Sequence, residues 1–211
     1  MSRNPALTAI LKSAGLASSV LIFYLLLRPL AVLEIPKLRT QDLFFQLRNF
    51  LFAKPSILND LVLVSVDDES LARVREKWPL PRRLYGDLIR RVSTQNPRLI
   101  ALDFVFSKKA DPVDDFLLRE AIESSGKVVL ASFVDEKGNY VQPIRELRMS
   151  AARFGAVNKL LDRDLSVRRS RLAYRDGKGK VVAWSWEVEM MAMLEGRKTA
   201  TFQLTERGIQ F

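Results

Sequence analysis

The feature that most constrains the fold is an alternation of short apolar runs with helical patterns between residues 61 and 132. The run LVLVSV, residues 61–66, is rich in β-branched side chains and typical of a strand buried on both faces. Two further strands are predicted at residues 99–102 and 128–132. Amphipathic patterns at residues 84–92 and 113–124 predict helices between them. Strands that alternate with helices form parallel sheets with right-handed crossovers, so the sequence predicts an α/β fold.

The pattern changes after residue 134. Two strand-like segments, residues 168–174 and 180–184, flank the turn signal Asp176-Gly177, which predicts a β-hairpin. An apolar helix is predicted directly afterwards, at residues 186–194. We therefore expect a three-layer α/β domain with a largely parallel sheet and a C-terminal β-hairpin plus helix.

An apolar run near the amino terminus, residues 13–27, lies between Lys12 and Arg28, and apolar character extends from residue 6 to residue 33. About 20 apolar residues span a bilayer as a helix. We expect a transmembrane helix at residues 13–33, after a short cytoplasmic tail at residues 1–12. A cleaved signal peptide and a buried core helix are the alternatives. The first lacks a small-residue cleavage pattern, and the second lacks a polar face.

Composition excludes several classes of function. The chain has neither cysteine nor histidine, which removes thiolate nucleophiles, Ser-His-Asp triads and nearly all structural zinc sites. No glycine-rich phosphate loop occurs. The net charge is +10, but the basic residues are spread along the chain without a cluster, so nucleic-acid binding is not expected. We expect no catalytic centre and no cofactor.

Acidic residues follow the predicted strands. Asp67 and Asp68 come after the first strand, and Asp103 ends the second. The carboxyl ends of neighbouring parallel strands meet at one sheet edge, where ligands bind in open α/β sheets. In the WPLPR segment, Trp78 is expected to be largely buried and Arg82 to supply a counter-charge for Asp67 and Asp103. These five residues are the predicted ligand-binding site.

Other interpretations of the acidic residues stay open. Aspartate after a strand commonly caps the next helix, so these side chains would then bind only backbone N–H groups. A hard cation held by carboxylates is a further possibility. A phosphoacceptor site is disfavoured because that fold also needs a lysine after a later strand. Asp162 and Asp164 resemble the start of a calcium loop that lacks its glycine and its distal acid. Whether the chain binds a metal ion therefore stays open.

Six segments together resemble one known family. They are LRTQDLFFQLR (38–48), LVLVSVDDESL (61–71), WPLPRRLYGDLI (78–89), LIALDFVF (99–106), GAVN (155–158) and DRDLSVRR (162–169). In order and spacing they resemble the CHASE2 domain over about residues 38–193. One departure is Leu165, which stands where the family usually has glycine.

The resemblance implies an extracytoplasmic sensory domain, residues 34–211, periplasmic or extracellular in a receptor of the plasma membrane. It implies an output through an adenylate or guanylate cyclase or a histidine or serine/threonine kinase elsewhere in the receptor. We also expect a small-molecule ligand of unknown identity and a homodimer in the full receptor. The family domain normally continues further, so residues 34–211 are expected to be incomplete at their C-terminal end. The alternative is a membrane-anchored structural or interaction protein without ligand sensing.

Overall fold

The computed structural model describes residues 5–27, 34–52, 60–74, 76–205 and 208–210. The chain divides into two compact units, Met1–Ser65 and Val66–Phe211. The helices of the described residues are α1 (Pro5–Leu27), α2 (Glu34–Leu51), α3 (Asp68–Val74), α4 (Arg82–Ser93), α5 (Pro112–Ser125), α6 (Arg145–Ser150) and α7 (Trp186–Leu194). Their strands are β1 (Ile100–Leu102), β2 (Val128–Val134), β3 (Tyr140–Val141), β4 (Arg153–Ala156), β5 (Leu160–Leu161), β6 (Val167–Arg169), β7 (Ala173–Arg175), β8 (Val181–Trp184), β9 (Gln203–Thr205) and β10 (Gly208–Gln210).

The first unit contains α1 and α2, and it corrects the transmembrane prediction for residues 13–33. Among the described residues, no helix has the length and apolarity needed to cross a membrane. The uninterrupted apolar part of α1 starts after Lys12 and stops at Leu27, which is shorter than the roughly 20 residues that span hydrocarbon. Residues 28–33, which the prediction included, lie outside the described part. The buried core helix is not observed either, because the described side chains of α1 are exposed.

The prediction of a strand at residues 61–66 is wrong. These residues have no regular secondary structure, and Val62 is 87% exposed. A strand requires a hydrogen-bonded neighbour, and no neighbour pairs with this segment in the described part of the chain. The apolar pattern gives the propensity of a strand but does not identify its partner.

The sheet of the second unit contains the predicted parallel strands. β2 pairs in parallel with β1 on one side and with β4 on the other, with Ala101 opposite Val129 and Leu130 opposite Phe154. β3 adds to the end of β2 in the antiparallel direction. The predicted mixed α/β class with parallel pairing is therefore observed. The start of β2 is fully buried, and Val128 and Leu130 lie in the main core.

Helices α4 and α5 flank the strand β1 in sequence, and both supply side chains to the main core. Asp111 caps α5 by accepting the N–H groups of Val113 and Asp114, and Gly126 ends it with a left-handed φ of 61°. The buried core residues are Leu80, Tyr85, Ile89, Ile100, Leu102, Phe106, Leu118, Ala121, Ile122, Val128, Leu130 and Leu147.

The predicted hairpin and helix follow the sheet. β7 and β8 are antiparallel, and the side chain of Asp176 accepts the N–H groups of Lys178 and Lys180 in the turn. Helix α7 then starts behind Ser185, whose hydroxyl accepts the N–H of Val188. Strand β4 lies very close to the start of α7. A Cβ atom at Gly155 would come within 2.7 Å of the Trp186 Cα, so only glycine fits there.

Candidate functional site

The two acidic residues after residue 66 lie at the start of α3. The Asp67 carboxylate accepts hydrogen bonds from the Ser70 N–H at 2.8 Å and from the Ser70 hydroxyl at 2.6 Å. These bonds favour the ionised form and lower the pKa of Asp67. Asp68 is the first residue of the helix and is exposed. The geometry of Asp67 is that of a helix cap, which was the alternative to a binding role.

Asp103 directly follows β1 and is exposed. Its carboxylate has no hydrogen bond or ion pair to any residue that the structure describes. Asp103 would lie beside Asp67 if residues 61–66 formed a strand next to β1, and that strand is not observed. A ligand-binding role for Asp67, Asp68 or Asp103 therefore stays a prediction without this geometric support.

Arg82 is paired, but not with the acids after the strands. Its Nη1 lies 2.5 Å from the Asp115 carboxylate, its Nη2 donates to the Lys108 carbonyl, and its guanidinium lies 5.1 Å from the centre of the Phe106 ring. The Asp115 carboxylate also accepts the Ala110 N–H. The prediction that Arg82 supplies a counter-charge for Asp67 and Asp103 is therefore wrong. Arg82 pairs instead with Asp115 of α5.

The prediction that Trp78 is largely buried is also wrong, since 58% of this residue is exposed. Its ring lies 6.3 Å from that of Phe104. The inner aromatic position belongs to Tyr85 on α4, whose ring lies 4.7 Å from Phe104 and 5.4 Å from Phe106. Trp78 covers the outside of this aromatic group, where an exposed ring remains accessible to a ligand.

The turn DRDLSVRR contains an ion-pair cluster. Asp162 accepts from Arg168 at 3.1 Å and from Arg169, and Asp164 binds Arg168 at 2.8 and 2.7 Å. These arginines lower the pKa of both carboxyl groups. Leu165 has a φ of 62°, so the turn forms in a conformation that favours glycine. Among the residues described, no three acidic side chains are grouped to hold a metal ion.

A cleft of about 320 Å³ lies in the second unit, away from the predicted residues. It is lined by segments that are distant along the chain. The lining residues are Tyr140, Gln142, Arg148, Ala151, Ala152, Arg153, Phe154, Val182, Ala183, Trp184 and Glu189. They belong to β3 and the residue after it, to α6, β4 and the two residues between them, and to β8 and α7.

Aromatic rings form part of the cleft wall. The rings of Tyr140 and Phe154 are stacked, 6.3 Å apart and inclined by 22°. The Ser132 hydroxyl donates to the Tyr140 hydroxyl at 3.0 Å, which fixes the ring. Burial is the main cause of the raised pKa of Tyr140, so this phenol stays neutral and keeps its proton. Trp184, at the end of β8, also lines the cleft and packs edge-on against Phe202.

The charged groups of the cleft are unequally compensated. Arg153 donates to Glu189 at 3.0 Å and also to the Arg197 carbonyl, and Glu189 accepts in addition from the Thr199 hydroxyl at 3.1 Å. This pair is neutral. The Arg148 guanidinium lies 5.9 Å from the Phe154 ring centre and has no hydrogen bond or ion pair to another described residue. The cleft therefore has one positive charge that its own residues leave uncompensated.

Sequence reasoning missed this cleft for a physical reason. β3 has two residues and α6 has six, which is too short for a periodic pattern to show which side chains face inward. The segment GAVN, which contributes to the resemblance, begins directly after Phe154 and was the nearest available signal. Nothing in the sequence connects it with Trp184 or Glu189.

Comparison with known proteins identifies a family over most of the chain. The family model described as the CHASE2 domain matches residues 17–209. No curated protein and no solved structure gives a significant match.

Proposed function

This chain belongs to the CHASE2 domain family, and we propose that it senses a small-molecule ligand in the cleft between β3, α6, β4 and β8. CHASE2 domains are extracellular sensory domains of signalling receptors and are not catalytic. For this chain, we propose that ligand occupancy controls an adenylate or guanylate cyclase or a protein kinase domain of the same receptor.

The observation that carries the proposal is the chemistry of the cleft. Its volume of about 320 Å³ lies within the range of small-molecule sites. Such sites combine apolar and aromatic walls with a few polar groups, and here Arg148 and Gln142 are polar groups without hydrogen-bond partners among the described side chains. By contrast, Asp67 and Arg82 use their polar atoms within the protein.

Ligand binding here would couple distant parts of the chain. A molecule in the cleft contacts residues 140–154 on one side and residues 182–189 on the other. It therefore stabilises whichever arrangement of the two segments fits it better, which is a population shift between two states. We propose that a homodimer of the full receptor passes this shift to the output domain.

A substitution that fills the cleft tests this function. Ala152 is exposed and lines the cleft, so Ala152→Trp places a large ring in the binding space. Ala72→Trp on α3 is the matched control, because Ala72 is exposed and does not line the cleft. The melting temperatures of the wild type and of each variant are measured with and without compounds from a library of small metabolites. Compounds that bind only the native state raise the melting temperature.

We expect a subset of compounds to raise the melting temperature of the wild type and of Ala72→Trp but not of Ala152→Trp. The proposal fails if no compound stabilises the wild type, or if Ala152→Trp responds as the wild type does. Titration of full-length receptor activity with the compounds that pass this test then identifies the signal.

A second candidate function is protein interaction without ligand sensing. Helix α2 favours it, because Phe44, Phe50 and Leu51 are all more than half exposed, which is typical of a contact surface. In that case the chain self-associates in sedimentation experiments, Phe50→Ser weakens the association, and no metabolite changes the melting temperature.

A further inference from the structure

We propose that the cleft selects a small monocarboxylate with a flat apolar body, and that Arg148 binds its carboxylate. This inference rests on the proposed ligand-sensing function and names the chemical class of the ligand. It assigns Arg148 and Gln142 as the specificity-determining residues of the cleft.

The position of Arg148 is the first reason. Its guanidinium is held near the cleft by the Phe154 ring, and none of its five N–H donors reaches an acceptor on a described residue. Guanidinium groups bind carboxylates through two parallel hydrogen bonds, which makes Arg148 suited to a planar anion. Arg153 is less suited to this role, because Glu189 already compensates its charge and both of its Nη atoms donate within the protein, to Glu189 and to the Arg197 carbonyl.

The charge balance of the cleft is the second reason. Glu189 accepts from Arg153 through one oxygen and from Thr199 through the other, and the charge of Arg153 compensates its own, so it adds no net negative charge that would favour a cationic ligand. The remaining charge is the single positive charge of Arg148. A monoanion neutralises it, whereas a cation would be repelled.

The walls of the cleft specify the rest of the ligand. The stacked rings of Tyr140 and Phe154, together with Trp184, offer flat apolar faces to a ring or a planar chain. Gln142 adds an amide that binds no other described residue and suits a second polar group on the ligand. Because the Ser132 hydroxyl donates to Tyr140, the Tyr140 hydroxyl keeps its own proton for donation.

Pairs of isosteric probes test this inference. The 211-residue chain is titrated with benzoate, 4-hydroxybenzoate and indole-3-carboxylate, each beside its neutral amide, and with acetate and inorganic phosphate. Binding is measured by calorimetry. We expect at least one flat carboxylate to bind about 10- to 100-fold more tightly than its amide, since hydrogen bonds to charged groups contribute about 1.5–3 kcal/mol. Acetate and phosphate lack the flat body and are expected to bind more weakly.

Two arginines on one helix provide matched variants. Arg148→Met removes the cleft guanidinium, and Arg145→Met removes an exposed guanidinium of α6 that does not line the cleft. We expect Arg148→Met to lose the preference for carboxylate over amide and Arg145→Met to keep it. Arg148→Lys retains the charge without the two parallel donors and should give an intermediate preference. Circular dichroism of each variant verifies folding.

The outcomes separate this inference from the proposed function. If amides and carboxylates bind equally, or if the preference survives Arg148→Met, the inference is overturned, while binding that Ala152→Trp abolishes still supports sensing in the cleft. If no flat carboxylate binds but other metabolites bind the cleft, only the inference fails. If nothing binds the cleft, the proposed function fails as well.

Discussion

Arg82 at the start of α4 lies 2.5 Å from the carboxylate of Asp115 on α5, and only 10% and 15% of the two side chains are exposed. Loss of one partner of a buried ion pair leaves an uncompensated charge and costs about 3–5 kcal/mol. We therefore expect Asp115→Ala to lower the free energy of unfolding by about that amount in urea denaturation. Glu123→Ala breaks the more exposed pair with Arg119 and should cost less than about 1 kcal/mol. Equal denaturation midpoints for the two variants would contradict this assignment.

Gly155 is the position where β4 approaches α7 most closely. Gly155→Ala places a Cβ atom 2.7 Å from the Trp186 Cα, a backbone atom that cannot rotate away. We expect this variant to lose about 1–3 kcal/mol of stability, as overpacked sites do. Gly177→Ala is the control, because a Cβ atom there meets nothing within 4 Å. Thermal denaturation of both variants checks the prediction, and a Gly155→Ala protein as stable as Gly177→Ala would refute it.

Without ligand, Arg148 should contribute little to stability. Its guanidinium has no hydrogen bond or ion pair to a described residue, and its cation–π contact with the Phe154 ring contributes about 0.5–1 kcal/mol. Arg148→Met is therefore expected to change the free energy of unfolding by less than about 1 kcal/mol. A loss of several kcal/mol in chemical denaturation would mean that Arg148 is a structural residue.

The Asp164–Arg168 pair predicts a pH dependence of stability. The pKa of Asp164 is lowered from its ordinary value of 3.8, mainly by its hydrogen bonds to Arg168. A carboxyl group with a lowered folded pKa stabilises the native state above its unfolded pKa, and this contribution is lost as the pH falls through 3.8 towards the folded value.

Asp164→Asn removes that titration. The difference in melting temperature between wild type and Asp164→Asn should be constant above about pH 5 and should shrink steadily below pH 4. Other carboxyl groups titrate in both proteins and cancel in the difference. A difference that stays the same from pH 7 to pH 3 would mean that the pair does not stabilise the fold.

The parts of the fold that sequence predicts well are those whose signals are local. The predicted strand at residues 128–132 is β2, and the helical faces with Tyr85 and Ile89 on α4 and with Leu118 and Ile122 on α5 are buried as expected. In each case the pattern spans enough residues for the period to be unambiguous. Residues 61–66 show the limit, because β-branched apolar residues favour a strand but the pairing depends on the rest of the chain.

The site residues depend even more on tertiary contacts. Arg82 was expected to pair with an acid after a strand, but it pairs with Asp115, which lies 33 residues away in the sequence on α5. Trp78 was expected to pack against the helix that starts near Arg82, with the prolines of the WPLPR segment fixing its approach, yet Tyr85 occupies the inner position. Arg148 carries no motif, and its significance comes only from an aromatic neighbour and the absence of an acceptor among the described residues.

The exposed run at residues 61–66 affects the handling of the protein in solution. LVLVSV has no charge and no proline, and Val62 and Leu63 are each more than 80% exposed. Short uncharged segments of high β propensity are the usual starting points of intermolecular strand pairing. Concentrated samples should therefore precipitate through this segment while the fold stays intact. A single lysine, as in Val62→Lys, should raise the soluble concentration and leave the melting temperature unchanged.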